Sequence, residues 1–365
     1  MNVDINPKIL IWAREERGMS IKNVADKLKL KISYLNQLEL EGKGILFSSL
    51  ESIAKLYKRQ TAVFFLSDVP AKVRKLKDCR NLAVGGGDFS PKTMLAIRRT
   101  ERYLQTAREL SGIPFLDKQY EWLKNFTGKN ENIKKEVALL RELLEVDING
   151  KSIQKSDVAF RNWRTKIEEK LGIFVFQFPT SENELDGFSY AFDEFPYAIV
   201  VNNKNTPVRK IFTLFHELYH ILKHNSCACK PNFITTNQLN IELECNNFSG
   251  KFLVPEEYLK VTDSVDEIFR LAGLLNVSGE VYLRRLSDEN KISKNKFFEL
   301  LDPVREQSNR FPRKKINGAP SMIIQSKSTR GNKFFNIVTG AAINSKMSYS
   351  VASDLLGLKV GNIRL

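Results

Sequence analysis

Residues 208–224 read VRKIFTLFHELYHILKH, and how they are interpreted decides the rest of the chain. Ile211, Leu214, Phe215, Leu218, Ile221 and Leu222 recur at steps of three and four, the spacing of a long helix with a buried apolar face. All three histidines of the protein, His216, His220 and His224, fall on this stretch. A step of four returns to nearly the same helix face, so His216 and His220 can converge on one ion. Glu217 projects about 100° away, where it reaches a water on the ion rather than the ion itself. This HExxH spacing predicts a zinc site with His216 and His220 as ligands and Glu217 as general base. Zinc brings the pKa of its water to about 7, and a carboxylate takes the proton as a carbonyl is attacked. The plainer alternative is a surface cluster of histidines without metal. The apolar residues around the motif argue against it, because they bury the helix.

A catalytic zinc takes three protein ligands and keeps one position open. His224 is a poor third ligand, since it follows by four residues with no glycine turn between. The next acidic groups lie on IELECNNFSGKFLVPEEYL (241–259), a second helical stripe. Glu242 shares a face with Asn246 and Ser249, and Glu244 with Phe248 and Lys251. The residues themselves leave both open. Cys227 and Cys229 fall between the two helices, where a second metal site with His224 is conceivable but a CxC pair more often stays unbound.

Upstream of the motif the pattern changes period. IFVFQF (173–178), GFSYAFD (187–193) and YAIVVN (197–202) are rich in β-branched and aromatic residues and predict a small antiparallel sheet. Phe188, Ser189 and Tyr190 are placed on a strand edging the cleft, able to pair with an extended peptide. Before the sheet, AIRRTERYLQTAREL (96–110), KKEVALLRELLEV (134–146) and DVAFRNWRTKIEEKLG (157–172) carry helical stripes. Gly85, Gly86 and Gly87 with Pro91 mark a junction; with no strand before them, they do not form a phosphate loop.

Residues 7–66 predict a run of short helices. Asn6 and Pro7 provide an N-cap and N1 proline, and Ser20 caps a second helix with Ile21, Val24, Ala25 and Leu28 inward. A tight turn leads to a third helix over 32–40 with Leu35 and Leu38 buried. Ser48 or Ser49 opens a fourth, with Leu50, Ile53, Ala54 and Tyr57 as its stripe. This describes a helix-turn-helix bundle.

The stretch GMSIKNVADKLKLKISYLNQLE (18–39) resembles the Xre/Cro-type helix-turn-helix family, with Leu38 at a position usually aromatic and Lys31 in place of the usual Ser/Thr cap. That resemblance implies that the third helix enters the DNA major groove, with Ile32, Ser33, Tyr34, Asn36 and Gln37 as the reading face and Lys31 near the phosphates. TLFHELYH (213–220) followed by IELECNNFSGKFLVP (241–255) resembles the ImmA/IrrE metallopeptidase family. On that match Glu242 is the third ligand, Cys245 and Asn246 fill a small-residue and an Asn position, and Pro255 ends the helix. Tyr219 stands where the family usually has glycine, and Ser249 where it has alanine. The match extends over roughly 155–213, with Gly172, Gly187 and Asn202.

The charge is uneven. Lys and Arg total 57 against 42 Asp and Glu, a net +15, of which residues 1–66 carry +4 and residues 303–365 carry +9. Basic ends around a near-neutral body point to an acidic partner, nucleic acid first. NRFPRKKINGAPSMIIQSKSTRGNKFF (309–335) reads as a basic loop or linker. In addition, the stretches after Ala272 and Ser353 repeat the apolar spacing after Ala25, which suits either further helix-turn-helix units or ordinary helical hairpins. Four unevenly spaced cysteines, no signal-peptide pattern and no transmembrane run predict a cytoplasmic protein without membrane contact.

The fold expected is α+β and mostly helical, in four parts. Residues 1–68 form the Xre-type bundle, 69–110 a linker and connecting helix, 111–300 a zincin-like metallopeptidase domain, and 301–365 a basic helical extension. The resemblances imply a DNA-binding zinc peptidase, with Zn2+ as cofactor, that cleaves a partner repressor or antitoxin and binds double-stranded DNA. The alternative is a transcription regulator whose metallopeptidase-like domain senses or supports without proteolysis. A homodimer is left open, and no residue is identified as the oxyanion donor.

Overall fold

The computed structural model describes residues 1–70, 77–78, 89–111, 120–126, 132–146, 154–181, 184–191, 196–223, 227–229, 236–310 and 320–363. The chain divides into two units, residues 1–75 with 85–101, and residues 76–84 with 102–365.

In the first unit, β1 (Asn2–Val3) precedes α1 (Pro7–Glu15), and the Asn6 side chain accepts a hydrogen bond from Lys8 N at its start. Ser20 accepts from Asn23 N and opens α2 (Ile21–Leu28), which ends on Lys29 in the left-handed region at φ 55°. Next comes α3 (Ile32–Glu41), whose N-cap Lys31 makes no side-chain cap bond. Strand β2 (Ile45–Leu46) pairs antiparallel with β1, and α4 (Phe47–Tyr57) follows. The N-cap of α4 is Leu46, not Ser48 or Ser49, because Phe47 N donates to Met1 O and the ladder sets the chain direction before either serine. Leu35, Leu38, Leu50, Ile53, Ala54 and Tyr57 are buried in one core with Ile9, Leu10, Val24 and Ala25, as the stripes require. Arg14 grips Glu39 with two bonds of 2.6 and 3.0 Å, tying α1 to α3.

The second unit is built around a five-stranded sheet of β3 (Lys77–Asp78), β4 (Phe174–Phe178), β5 (Gly187–Tyr190), β6 (Ala198–Asn202) and β7 (Cys227–Cys229), in the order β3-β7-β5-β6-β4. The expected antiparallel sheet is in fact mixed. β5 pairs antiparallel with β6 and β7, but β4 runs parallel to β6 and β3 parallel to β7. The reason is connectivity. β4 and β6 are not a hairpin; the chain passes over to β5 first and returns, so β6 enters the space between β5 and β4 already pointing with β4.

Helices cover both faces. In chain order the remaining helices are α5 (Pro91–Ser111, of which residues 102–111 belong to this unit), α6 (Ile133–Leu143), α7 (Ser156–Lys166), α8 (Pro207–Leu222), α9 (Thr236–Leu253), α10 (Val265–Leu274), α11 (Gly279–Asp288), α12 (Lys294–Arg310), α13 (Met322–Arg330), α14 (Asn332–Ile343) and α15 (Tyr349–Leu356). Val175, Ile199 and Val201 join the core of α8 and α9, together with Ile211, Leu214, Leu218 and Phe248. On the other face Phe174, Phe176 and Phe178 meet Phe334 of α14 and Tyr103 of α5. With both faces covered, every residue of β4, β5 and β6 is buried.

The C-terminal residues therefore help to cover one face of the sheet. Of the expected basic loop 309–335, residues 309–310, 322–330 and 332–335 are helix, with Ser321 accepting from Ile324 N at the start of the second; 311–319 lie outside the described residues, as does the glycine run 85–87. The repeated spacing after Ala25, Ala272 and Ser353 yields one shared turn. Leu30, Val277 and Leu358 donate to those three carbonyls at 3.0, 3.1 and 3.1 Å, and Lys29, Asn276 and Gly357 are left-handed. The same closure ends helices at Ala54 and Ala341, so it is a general helix stop in this chain. After Gly357 only the 3-10 turn Val360–Asn362 follows among the described residues, with no second helix.

Candidate metal centre

Thr206 caps α8 by accepting from Arg209 N, and Pro207 occupies N1. The helix then runs through the core, and every residue from Thr213 to Leu222 is buried. His216, Glu217 and His220 are carried inward with it, and α9 lies alongside with Glu242 facing them. The two Nε2 atoms are 3.3 Å apart. Glu242 Oε2 is 3.1 Å from His216 Nε2, and its Oε1 is 3.4 Å from His220 Nε2. Zinc–nitrogen and zinc–oxygen bonds of about 2.0–2.2 Å at a tetrahedral angle put donors about 3.3 Å apart, so the spacing of these three fits one ion.

His216 Nδ1 lies 3.1 Å from Asn246 Oδ1. An amide oxygen only accepts, so Nδ1 carries a hydrogen, and Nε2, which faces Glu242 and His220, is the nitrogen left for an ion. Burial lowers the pKa of His216, but the Glu242 hydrogen bond and the charges of Glu217 and Glu242 outweigh it and the net shift is upward. For His220 burial wins, helped by the charge of His216, and the shift is downward. Burial would raise Glu242, yet hydrogen bonds to both histidines and their charges hold it well below the carboxylate range. Glu242 is therefore an anion held against two imidazoles.

Glu217 is different. Burial pushes its carboxyl up to about 8, with Glu242 and Asp186 adding to the rise while His216 and the Ser189 hydroxyl oppose it. Its Oε2 is buried without a hydrogen-bond partner among the described residues. An orphaned carboxylate oxygen beside a cluster of ion ligands is the position a general base needs. The strand brings Ser189 within hydrogen-bonding reach because residue 187 is glycine: a Cβ there would stand 2.6 Å from both Thr213 Cγ2 and Val200 O, and 3.4 Å from Glu217 Cγ.

Sequence spacing missed some of this. Cys245 Sγ lies 3.4 Å from His220 Nε2 and 3.6 Å from its Nδ1, and Cys245 forms a compact group with His216 and His220 that could itself hold a metal. A sulfur almost equidistant from both ring nitrogens is off the in-plane lone pair of either. Glu242, which spans both Nε2 atoms, is the better third donor, and Glu244 makes no such approach. The roles of Ser189 on Glu217 and Asn246 on His216 depend on contacts between elements and leave no trace in spacing. Tyr219 does not crowd the cluster: its ring stacks on Phe248 at 4.4 Å and its hydroxyl donates to Glu136 Oε2 at 3.0 Å. Ser249 Oγ donates to Cys245 O at 2.7 Å. The expected free edge at Phe188 is occupied, because Gly187 and Phe188 pair with Cys229 and Ala228 of β7. His224 and the side chains of Cys227 and Cys229 lie outside the described residues.

In the first unit, Lys31, Ile32, Ser33, Asn36 and Gln37 are exposed along α3, and Ile32 is 47 % exposed. Tyr34 is partly buried against the bundle core, so it is not a free member of that face. No helix among the described residues is long and apolar enough to cross a membrane.

No curated protein matches the chain significantly. Residues 168–287, about a third of the chain, match the family model of the IrrE N-terminal-like domain, a peptidase family. Since that span includes Gly187, Ser189, His216, Glu217, His220, Glu242, Cys245 and Asn246, this part of the chain is similar to a metallopeptidase domain of the ImmA/IrrE type.

Proposed function

We propose that the protein is a zinc-dependent endopeptidase with a regulatory role, in which His216, His220 and Glu242 hold the metal and Glu217 is the general base. The observation that carries this is the convergence of three donors 3.1–3.4 Å apart beside the buried Oε2 of Glu217, which has no hydrogen-bond partner among the described residues. Zinc bound there supplies Lewis-acid polarisation of a peptide carbonyl and acidifies water. Glu217 Oε2 accepts a proton from the attacking water and returns it to the departing amine nitrogen. Ser189 orients the carboxylate, and Asn246 keeps His216 in the tautomer that presents Nε2.

The partner cut is taken to be a repressor or antitoxin, from the resemblance to ImmA/IrrE proteins. The first unit is assigned to double-stranded DNA, supported by the exposure of Lys31, Ile32, Ser33, Asn36 and Gln37 on α3 and by the basic ends of the chain. Glu217→Gln tests the peptidase assignment. Stoichiometric zinc with loss of partner cleavage supports it; retained zinc with unchanged biological output leaves a sensory or structural domain instead. For DNA, affinity for a duplex should fall steeply with salt and collapse on changing Lys31, Asn36 and Gln37 together. Unchanged affinity moves the basic ends to another partner.

A further inference from the structure

We propose that the N-terminal unit binds a phosphate-type oxyanion through Arg17, Arg59, Arg98 and Arg99, a site that goes beyond the peptidase and stands even if that assignment fails. Arg17 follows the end of α1, Arg59 follows the end of α4, and Arg98 and Arg99 lie on α5. These segments meet. A Cβ at Gly18 would stand 2.9 Å from Phe89 O and 3.3 Å from Met94 Cγ, so the end of α1 lies against the start of α5. Arg98 Nη2 donates to Tyr57 O at 3.4 Å and Lys58 O at 3.1 Å, which brings in the end of α4. Arg59 sits 4.2 Å over the ring of Trp12 on α1.

Capping α4 accounts for one nitrogen of Arg98. Its Nη1 is buried without a hydrogen-bond partner among the described residues, and so are Nε and Nη1 of Arg17. A guanidinium keeps its proton, so such donors stay desolvated and charged unless an acceptor meets them. The cations also oppose one another: burial lowers Arg98 first, then the charges of Arg59, Arg17 and Arg99, with Glu16 the carboxylate that counters them. Glu101, one turn on from Arg98, adds a second acidic group to this end of the unit. Exposure is graded: Arg98 is 9 % exposed, Arg17 partly buried and Arg99 exposed, so the donors run from the interior to solvent. Donors carried by three separate segments suit a tetrahedral acceptor better than a planar carboxylate.

The test is calorimetric titration of the full chain with inorganic phosphate in the low millimolar range, at ionic strength held constant with chloride. Dilute phosphate avoids the general stabilisation that concentrated phosphate gives any folded protein. Saturable binding is expected, and Arg17→Gln, which leaves the Arg98 cap on α4 intact, should weaken it about tenfold or more. Arg99→Gln should weaken it as well. A duplex competition separates the sources of the anion: displacement of DNA by phosphate identifies a nucleic-acid backbone phosphate, and independent binding identifies a free phosphate or phosphomonoester. Either supports the site. No saturable phosphate binding, or equal binding by Arg17→Gln, overturns it.

Discussion

Replacing Glu217 by Gln in the metal-free protein should stabilise it, and by more as the pH rises from 4.5 to 8. The side chain is 1 % exposed and Oε2 has no hydrogen-bond partner among the described residues. Burial first, then the charge of Glu242, pushes its carboxyl from the ordinary 4.5 up to about 8. An acid raised in this way holds its proton in the folded state. Its contribution to stability is complete below the unfolded pKa and is lost as the pH rises through the folded one. At about 1.4 kcal/mol per pH unit, the wild type loses about 3 kcal/mol by pH 7 and at most about 5 kcal/mol at pH 8 and above. Gln keeps the shape and has no charge to lose, while His216, His220 and Glu242 titrate in both proteins and largely cancel. Urea denaturation with chelator present, from pH 4.5 to 8.5, measures the gap. Saturating zinc should shrink it, because a cation beside the carboxylate favours the charged form. A gap that stays constant over this range would refute the assignment of Glu217 as a desolvated acid.

Three other substitutions probe the groups around it. Asn246→Ala frees the His216 ring and should weaken zinc binding about 10–100-fold with the fold intact, read by competition with a chromophoric chelator; unchanged affinity removes Asn246 from the site. Gly187→Ala forces a methyl group against Thr213 and Val200 and should cost about 1–3 kcal/mol of stability, with activity falling further than zinc content; a neutral effect on both means the strand can move away. Glu168→Ala strips the N–H groups of Asn332 and Lys333 of their acceptor and leaves Arg164 charged in the core. A loss of about 3–5 kcal/mol is expected by denaturation, and a loss under 1 kcal/mol would mean that α14 is not anchored there.

Much of this protein is set by short-range pattern. Steps of three and four in 208–224 specify a helix whether or not anything packs on it, and a step of four puts His216 and His220 on one face by helical geometry alone. The same holds for Asn6 and Ser20, whose cap bonds reach only two or three residues along the chain. Charge asymmetry and the absence of a membrane-length run are likewise properties of composition. The choice between Glu242 and Glu244 came from family resemblance and not from spacing, because both precede the same helical stripe.

What the tertiary structure decided are the relations that link distant residues. The direction of β4 against β6 depends on which strand the chain visits between them, and hydropathy is the same for either direction. The three-phenylalanine face of β4 is covered by Phe334, some 160 residues later, and composition alone marked that C-terminal region as a basic extension. Inside the site, Ser189 meets Glu217 because Gly187 lets a strand approach a helix, and Tyr219 turns toward Glu136 on α6. Local periodicity therefore placed the two histidines and the glutamate between them, since one helix carries all three. Glu217's raised pKa comes from burial and the approach of Glu242, and both exist only once the chain is packed.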